Sequence, residues 1–70
     1  MSDTASTRRF LRGAAVNQKT GLANSTKYYL IAQGRFPRPV KIGPKMSAWD
    51  EAEIDAWMNE RIAERDQAVT

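Results

Sequence analysis

The spacing of hydrophobic and polar positions changes several times along this 70-residue chain, and each change predicts a new element. Residues 13–20 contain small apolar side chains and precede Gly21, where a glycine in the left-handed conformation would end a helix. In residues 24–33 the apolar positions recur with a helical period, and Gly34 follows them. Two short helices separated by a glycine-containing turn form a helix-turn-helix, which the sequence therefore predicts over residues 13–33.

The second predicted helix has two different faces. At about 100° per residue, the core-facing side is predicted to hold Ala23, Lys27, Leu30 and Ile31. The other side is predicted to be open and holds Ser25, Tyr28, Tyr29 and Ala32. It presents the hydroxyl groups of the first three and the rings of the two tyrosines. Because lysine has a long aliphatic stem, we expect the stem of Lys27 to cover the core while its ammonium group reaches outward.

Residues 35–49 have the pattern of a β-hairpin. Pro37 and Pro39 remove backbone donors and exclude the interior of a helix, and the next three residues alternate apolar, basic and apolar side chains as a half-buried strand does. A Gly-Pro turn follows, and residues 46–49 can return as the second strand. We expect Lys45 at or near the tip of this hairpin, which would form the wing of a winged helix-turn-helix.

The clearest helix start in the chain is at Asp50. Its carboxylate is suited to accept hydrogen bonds from free backbone amides, and Glu53 stands at the spacing of a capping box. The apolar stripe of this helix consists of Ile54, Trp57, Met58 and Ile62. We predict that this stripe is buried in the core together with Trp49, which precedes the helix. The predicted fold is mainly α with a small two-stranded β-hairpin wing, in one domain over 8–65 between a disordered tail at 1–7 and a frayed end at 66–70.

Charge is distributed unevenly around the net value of +3. Residues 1–45 hold nine basic residues and one acidic residue and carry +8, whereas residues 46–70 carry −5. A segment this basic is typical of proteins that bind a polyanion such as DNA. The alternative is that the segregated charge only keeps a small protein soluble.

The residue types give little support to enzymatic or cofactor chemistry. The chain has no Cys and no His, which removes disulfides and the common zinc ligand sets. The electrostatics of a helix start explain the carboxylates near residue 50, so we predict no enzyme activity, no cofactor and no metal. No apolar run approaches the roughly 20 residues that span a bilayer, and we expect a cytoplasmic, nucleoid-associated protein with no membrane partner.

Three stretches match a recurring family pattern. They are Thr20-Gly21-Leu22 with Ser25-Thr26, Tyr28 and Leu30-Ile31; Gly34-Arg35-Phe36-Pro37-Arg38-Pro39-Val40-Lys41-Ile42-Gly43; and Trp49 followed by Glu53-Ile54-Asp55-Ala56-Trp57. Over about residues 10–62, the chain resembles the AlpA family of small prophage regulators and excisionases, within a broader winged-helix group similar to MerR DNA-binding domains.

This resemblance implies that the helix at 24–33 and the wing bind DNA. It also implies one of two roles, because some members activate expression of an integrase and others are recombination directionality factors that bend DNA so that an integrase excises the element. Four positions depart from the family pattern. Tyr29 often corresponds to a basic residue, and Asn17 replaces a usual apolar residue. Ala23 stands where Ser is common, so the usual hydroxyl cap is lost, and Lys27 stands where an aliphatic residue is common.

The candidate DNA contacts fall into two groups. A helix in the major groove reads base edges, and for this role we predict Asn24, Ser25, Thr26, Lys27, Tyr28 and Tyr29. The wing is predicted to hold the DNA backbone through Arg35, Arg38, Lys41 and Lys45, with further contacts from Arg8, Arg9 and Arg12. The alternatives are that Asn24 and Ser25 only cap the helix, that one tyrosine is core, and that the lysines only guard a strand edge.

The predicted function is sequence-specific binding of double-stranded DNA, as an excisionase or recombination directionality factor that binds and bends attachment-site DNA. The first alternative is a transcriptional regulator of an integrase or prophage gene. The second is a protein-interaction module that docks on a recombinase or regulator through its acidic last helix. Adjacent copies of the protein and an integrase are the expected partners besides DNA, because the basic and acidic parts of neighbouring copies would attract each other.

Overall fold

The computed structural model of the protein describes residues 8–69, and the tail expected at 1–7 lies outside this range. Within this range, three strands and three helices follow one another. They are β1 (Phe10–Leu11), α1 (Gly13–Thr20), α2 (Asn24–Ala32), β2 (Val40–Gly43), β3 (Met46–Asp50) and α3 (Glu51–Val69). The mainly α fold with a hairpin wing is confirmed, since α1 and α2 form the helix-turn-helix and β2 and β3 form the wing.

The sheet has one strand more than the sequence predicts. Its order is β1-β3-β2 and both pairings are antiparallel, so that β3 is the central strand. The added strand, β1, pairs Phe10 with Asp50 and Leu11 with Trp49. A two-residue strand is too short to show an alternating pattern, and the apolar pair at 10–11 therefore has no strand signal of its own.

The turn between α1 and α2 is held by local hydrogen bonds. Gly21 has a φ of 77°, and its N–H donates to the carbonyl of Asn17 at 2.8 Å. The Thr20 hydroxyl donates to the carbonyl of Val16 at 2.8 Å and accepts from the N–H of Leu22 at 3.3 Å. Only glycine adopts this backbone conformation at little cost, so Gly21 fixes the direction in which α2 leaves the turn.

The core lies between the helices and β3. Five buried hydrophobic side chains form it, from Leu11, Val16, Phe36, Trp49 and Ile54. Trp49 is 1% exposed, and its indole N–H donates to the carbonyl of Pro37 at 3.0 Å. This bond satisfies the one polar atom of the ring inside the core and attaches the loop before β2 to the central strand.

The last helix differs from its prediction at the C-terminal end. Ile62, predicted to be buried, is 48% exposed, whereas Ile54 is fully buried and Trp57 and Met58 are partly buried. A helix of 19 residues is about 28 Å long and outruns a core this small, which leaves Ile62 beyond it. The helix also continues to Val69 where a frayed end was expected from Asp66, in a segment rich in strong helix formers and supported by the ion pair of Arg61 with Glu64 at 2.7 Å.

Asp50 joins the sheet to α3 and is almost fully buried. One carboxylate oxygen accepts the N–H of Ala52 at 3.1 Å, which is the predicted cap, and the other accepts from Arg8 at 2.7 Å. The backbone N–H of Glu51 donates to the carbonyl of Arg9 at 2.8 Å. The start of α3 is therefore bonded to the segment that leads into β1, which a cap prediction alone does not include.

Replacing Asp50 by Ala should lower the free energy of unfolding by about 1–2 kcal/mol, since it removes the cap of α3 and the partner of Arg8. Asp50→Asn is the matched control, because it keeps an acceptor for the Ala52 amide and loses only the charge, and it should cost less. Urea unfolding followed by circular dichroism measures both. Equal losses for the two variants would show that the hydrogen-bonded cap contributes nothing.

Candidate nucleic-acid interface

The outer face of α2 is open as predicted. Tyr28 is 49% exposed and Tyr29 is 61% exposed, and neither ring belongs to the core. Asn24, Ser25 and Thr26 are exposed in the first turn of the same helix. The structure therefore brings five of the six predicted helix contacts to the surface, and these side chains are hydroxyls, phenols and an amide that can face base edges or phosphates.

The first turn of α2 begins at Ala23, which offers no side-chain hydrogen bond to the helix amides. Asn24 does not supply the missing cap. Its side-chain oxygen instead accepts a hydrogen bond from the side-chain nitrogen of Asn17 at 3.2 Å. Bidentate pairing with adenine uses both ends of an asparagine amide, so adenine recognition by Asn24 requires this bond to open first.

The two tyrosines differ in what holds them. The Tyr28 ring meets the Trp49 ring edge to face, with centroids 6.4 Å apart, so it is anchored to the central strand. The Tyr29 hydroxyl accepts a hydrogen bond from the side chain of Gln33 at 3.0 Å. An accepting hydroxyl keeps its own hydrogen, which leaves Tyr29 able to donate to a phosphate oxygen.

Lys27 was predicted to contact DNA, but the structure buries it beneath α2. Its side chain is fully buried, and the expectation that the ammonium group reaches outward is wrong. Nζ lies 4.4 Å from the centroid of the Trp49 ring and 5.0 Å from that of Tyr28, with a long hydrogen bond of 3.4 Å to the carbonyl of Gly13. Burial lowers the pKa of Lys27 below the usual lysine value. The helical period placed this residue on the core face, and two aromatic rings accept its charge there.

The wing carries two exposed lysines, one in β2 and one in the turn of the hairpin. Lys41 pairs with Ser47 across the hairpin, and directly paired residues share one face. Ser47 is two residues from Trp49, so Lys41 lies on the sheet face that contacts Tyr28 through the Trp49 ring. Lys45 is exposed in the turn between β2 and β3. Neither lysine is in an ion pair within residues 8–69.

Arg35 and Arg38 are exposed but lie in a different setting from the lysines. They line a groove between residues 34–40 and α3, whose other wall includes Glu53, Glu60 and Glu64. At the base of this groove the Phe36 and Trp57 rings meet edge to face at 4.8 Å. The sequence predicted both arginines as backbone contacts. The groove places them near acidic residues of α3, which chain order alone did not reveal, but no described ion pair joins them to these residues.

Several cations of the basic half form ion pairs with carboxylates of the same chain. Arg8 pairs with Asp50 at 2.7 Å, and Lys19 pairs with Glu51 at 2.7 Å and with Asp55 at 2.9 Å. The hydrogen bonds that Lys19 donates to these two carboxylates raise its pKa. In the described part of the chain, the basic residues of the first half that are exposed and outside any ion pair are Arg12, Arg35, Arg38, Lys41 and Lys45.

Residues 8–69 contain neither a candidate metal site nor a candidate membrane span. No group of three or more His, Cys, Asp or Glu side chains in that range is placed to hold a metal ion. None of its helices combines the length and apolar character that crossing a membrane requires.

Comparison with known proteins gives a family and two curated relatives. The family described as "Prophage CP4-57 regulatory protein (AlpA)" matches residues 9–62. An "Uncharacterized protein ORF88" of Enterobacteria phage P4 is 49% identical over 57 residues, which are 81% of this chain and 65% of that protein. The "DNA-binding transcriptional activator AlpA" of Escherichia coli (strain K12) is 41% identical over 59 residues, which are 76% of this chain and 84% of that protein. No solved structure matches the chain.

Proposed function

The chain belongs to the AlpA family of prophage regulatory proteins, and on this premise we propose that it binds double-stranded DNA in a sequence-specific manner through α2 and the wing. The proposal is supported by two observations: the polar side chains of α2 are exposed, and Lys41 lies on the same side of the sheet as Trp49, whose ring contacts Tyr28. A duplex resting on that side meets polar side chains from one element and unpaired positive charge from the other.

The two elements have different tasks in the proposed complex. A helix such as α2 fits the major groove, where each base pair has its own pattern of donors and acceptors, so Ser25, Thr26 and Tyr28 are the proposed readers. The uncapped amides at the start of α2 are available to a phosphate. The wing lysines, Lys41 and Lys45, neutralise phosphates beside the helix, which adds affinity without reading sequence directly.

The proposed biological role is that of an excisionase or recombination directionality factor. In this role the protein binds and bends attachment-site DNA and so promotes excision of a prophage or genomic island, without catalysing a step itself. Adjacent copies on the DNA and an integrase are the proposed partners. The acidic residues of α3 support contacts between copies, because Glu53 and Glu60 lie outside any described ion pair and would attract the basic wing of a neighbour.

A second candidate role is regulation of transcription from an integrase or prophage promoter. The relative with 41% identity is named a transcriptional activator, which favours this role. Both roles use the same surface, and they differ in the DNA site and in the protein that acts next.

Replacing Lys41 and Lys45 by Ala should weaken binding to all duplex sequences and lower the slope of log affinity against log salt by about one unit for each phosphate that is no longer neutralised. Tyr28→Ala should instead change the preference between sequences. Fluorescence anisotropy with specific and random duplexes at several salt concentrations measures both effects. The control is Arg65→Ala, which removes a charge near the far end of α3 and should leave the affinity nearly unchanged.

The two roles separate in cells that carry the element with its integrase gene deleted. Supplying the integrase from a plasmid under a constant promoter removes any need for activation of that gene. An excisionase should still raise excision under these conditions, as measured by amplification across the rejoined chromosomal site. Excision that no longer depends on this protein, together with a response of the native integrase promoter in a reporter, would leave only the transcriptional role.

A further inference from the structure

We propose that Lys27 is a positioning residue for DNA binding, whose buried ammonium group holds the Tyr28 ring on the outer face of α2 and adds positive charge behind the surface that meets the duplex. The inference rests on the proposed function, because it concerns the same surface. It assigns a role in DNA binding to a buried side chain that itself makes no contact with DNA.

The geometry places Lys27 between three elements. It belongs to α2, its Nζ lies 4.4 Å from the Trp49 ring of β3, and its hydrogen bond reaches Gly13 at the start of α1. A Cβ at Gly13 would come within 3.2 Å of Nζ, so the absence of a side chain there leaves room for the ammonium group. The neighbouring Tyr28 ring lies 5.0 Å from Nζ and is half exposed. Lys27 therefore joins the proposed reading helix to the strand that carries the wing.

The charge of Lys27 is not cancelled inside the protein. No carboxylate forms an ion pair with it in residues 8–69, and the buried acid of β3, Asp50, is paired with Arg8. Its partners are the faces of two rings and one carbonyl, and none of them carries a compensating negative charge. A charge in a poorly polarisable interior is weakly screened, so its field extends to the surface that covers it and attracts a phosphate backbone.

Stability alone does not explain a lysine at this position. Burial lowers the pKa of Lys27, which means that the site disfavours the charged form. Methionine has a similar length, no charge and a flexible thioether, so it should fill the space without the cost of burying an ion. If the lysine costs stability in the free protein, its contribution must be found in the bound state.

The test compares two variants that remove the same charge from different places. Lys27→Met removes it beneath α2, and Lys19→Met removes it beside Glu51 and Asp55. We expect Lys27→Met to keep or raise the melting temperature and to bind a random-sequence duplex at low ionic strength about three- to tenfold more weakly. Lys19→Met should lower the melting temperature and change the affinity by less than about twofold, because Lys19 is already neutralised.

A double-mutant cycle shows whether Lys27 acts through Tyr28. If it does, adding Tyr28→Ala to Lys27→Met should weaken binding to a specific duplex by less than the product of the two single effects. Lys27→Leu serves as a second apolar variant, and circular dichroism reports folding. Unchanged affinity in a folded Lys27→Met, an equal loss in Lys19→Met, or loss of folding in both Lys27 variants would overturn the inference. If the wild-type protein binds no duplex, the proposed function fails first and the inference fails with it.

Discussion

The packing of Trp49 in the central strand is the constraint on which the rest of the structure depends. Its ring is buried against the core, its N–H holds the loop before β2 through Pro37, and its two neighbours from α2 are Lys27 and Tyr28. Because β3 also pairs with β2, the same strand sets the position of the wing. One aromatic residue thus connects the two elements that face the proposed duplex, in a chain whose core is small.

Helix α3 completes this arrangement with the opposite charge. Glu51 in its first turn forms ion pairs with Arg9 and Lys19. Asp50, just before the helix, forms an ion pair with Arg8. These ion pairs engage cations that would otherwise broaden the basic surface. The exposed and unpaired positive charge of residues 8–45 is therefore concentrated at Arg12 and on the loop and wing from 35 to 45. The asymmetry of charge along the sequence therefore leaves unpaired positive charge on the loop and wing, and in the proposed complex this charge meets the same duplex as the open face of α2.

Sequence patterns predicted the two short helices, the hairpin and the start of α3 because each has a local signal, such as the glycine at Gly21 or the cap at Asp50. They did not predict β1, whose two residues are ordered only by pairing with β3. Helical period placed Lys27 on the core face, but the direction of its ammonium group depends on the ring of Trp49, which is distant in the chain. Ile62 follows the periodic stripe and is exposed because the core ends before the helix does. The exposed candidates for DNA contact were found by pattern, and their roles remain predictions.

In the proposed complex, α2 and the wing meet one duplex on one side of the sheet while α3 faces away from it. Titration of the isotope-labelled protein with a duplex, followed by amide chemical shifts in NMR spectra, tests this arrangement most directly. We expect the largest changes to fall on Ser25, Tyr28, Lys41 and Lys45, and the outer face of α3 to change little. Changes confined to α3, or changes on α2 with none on the wing, would contradict it.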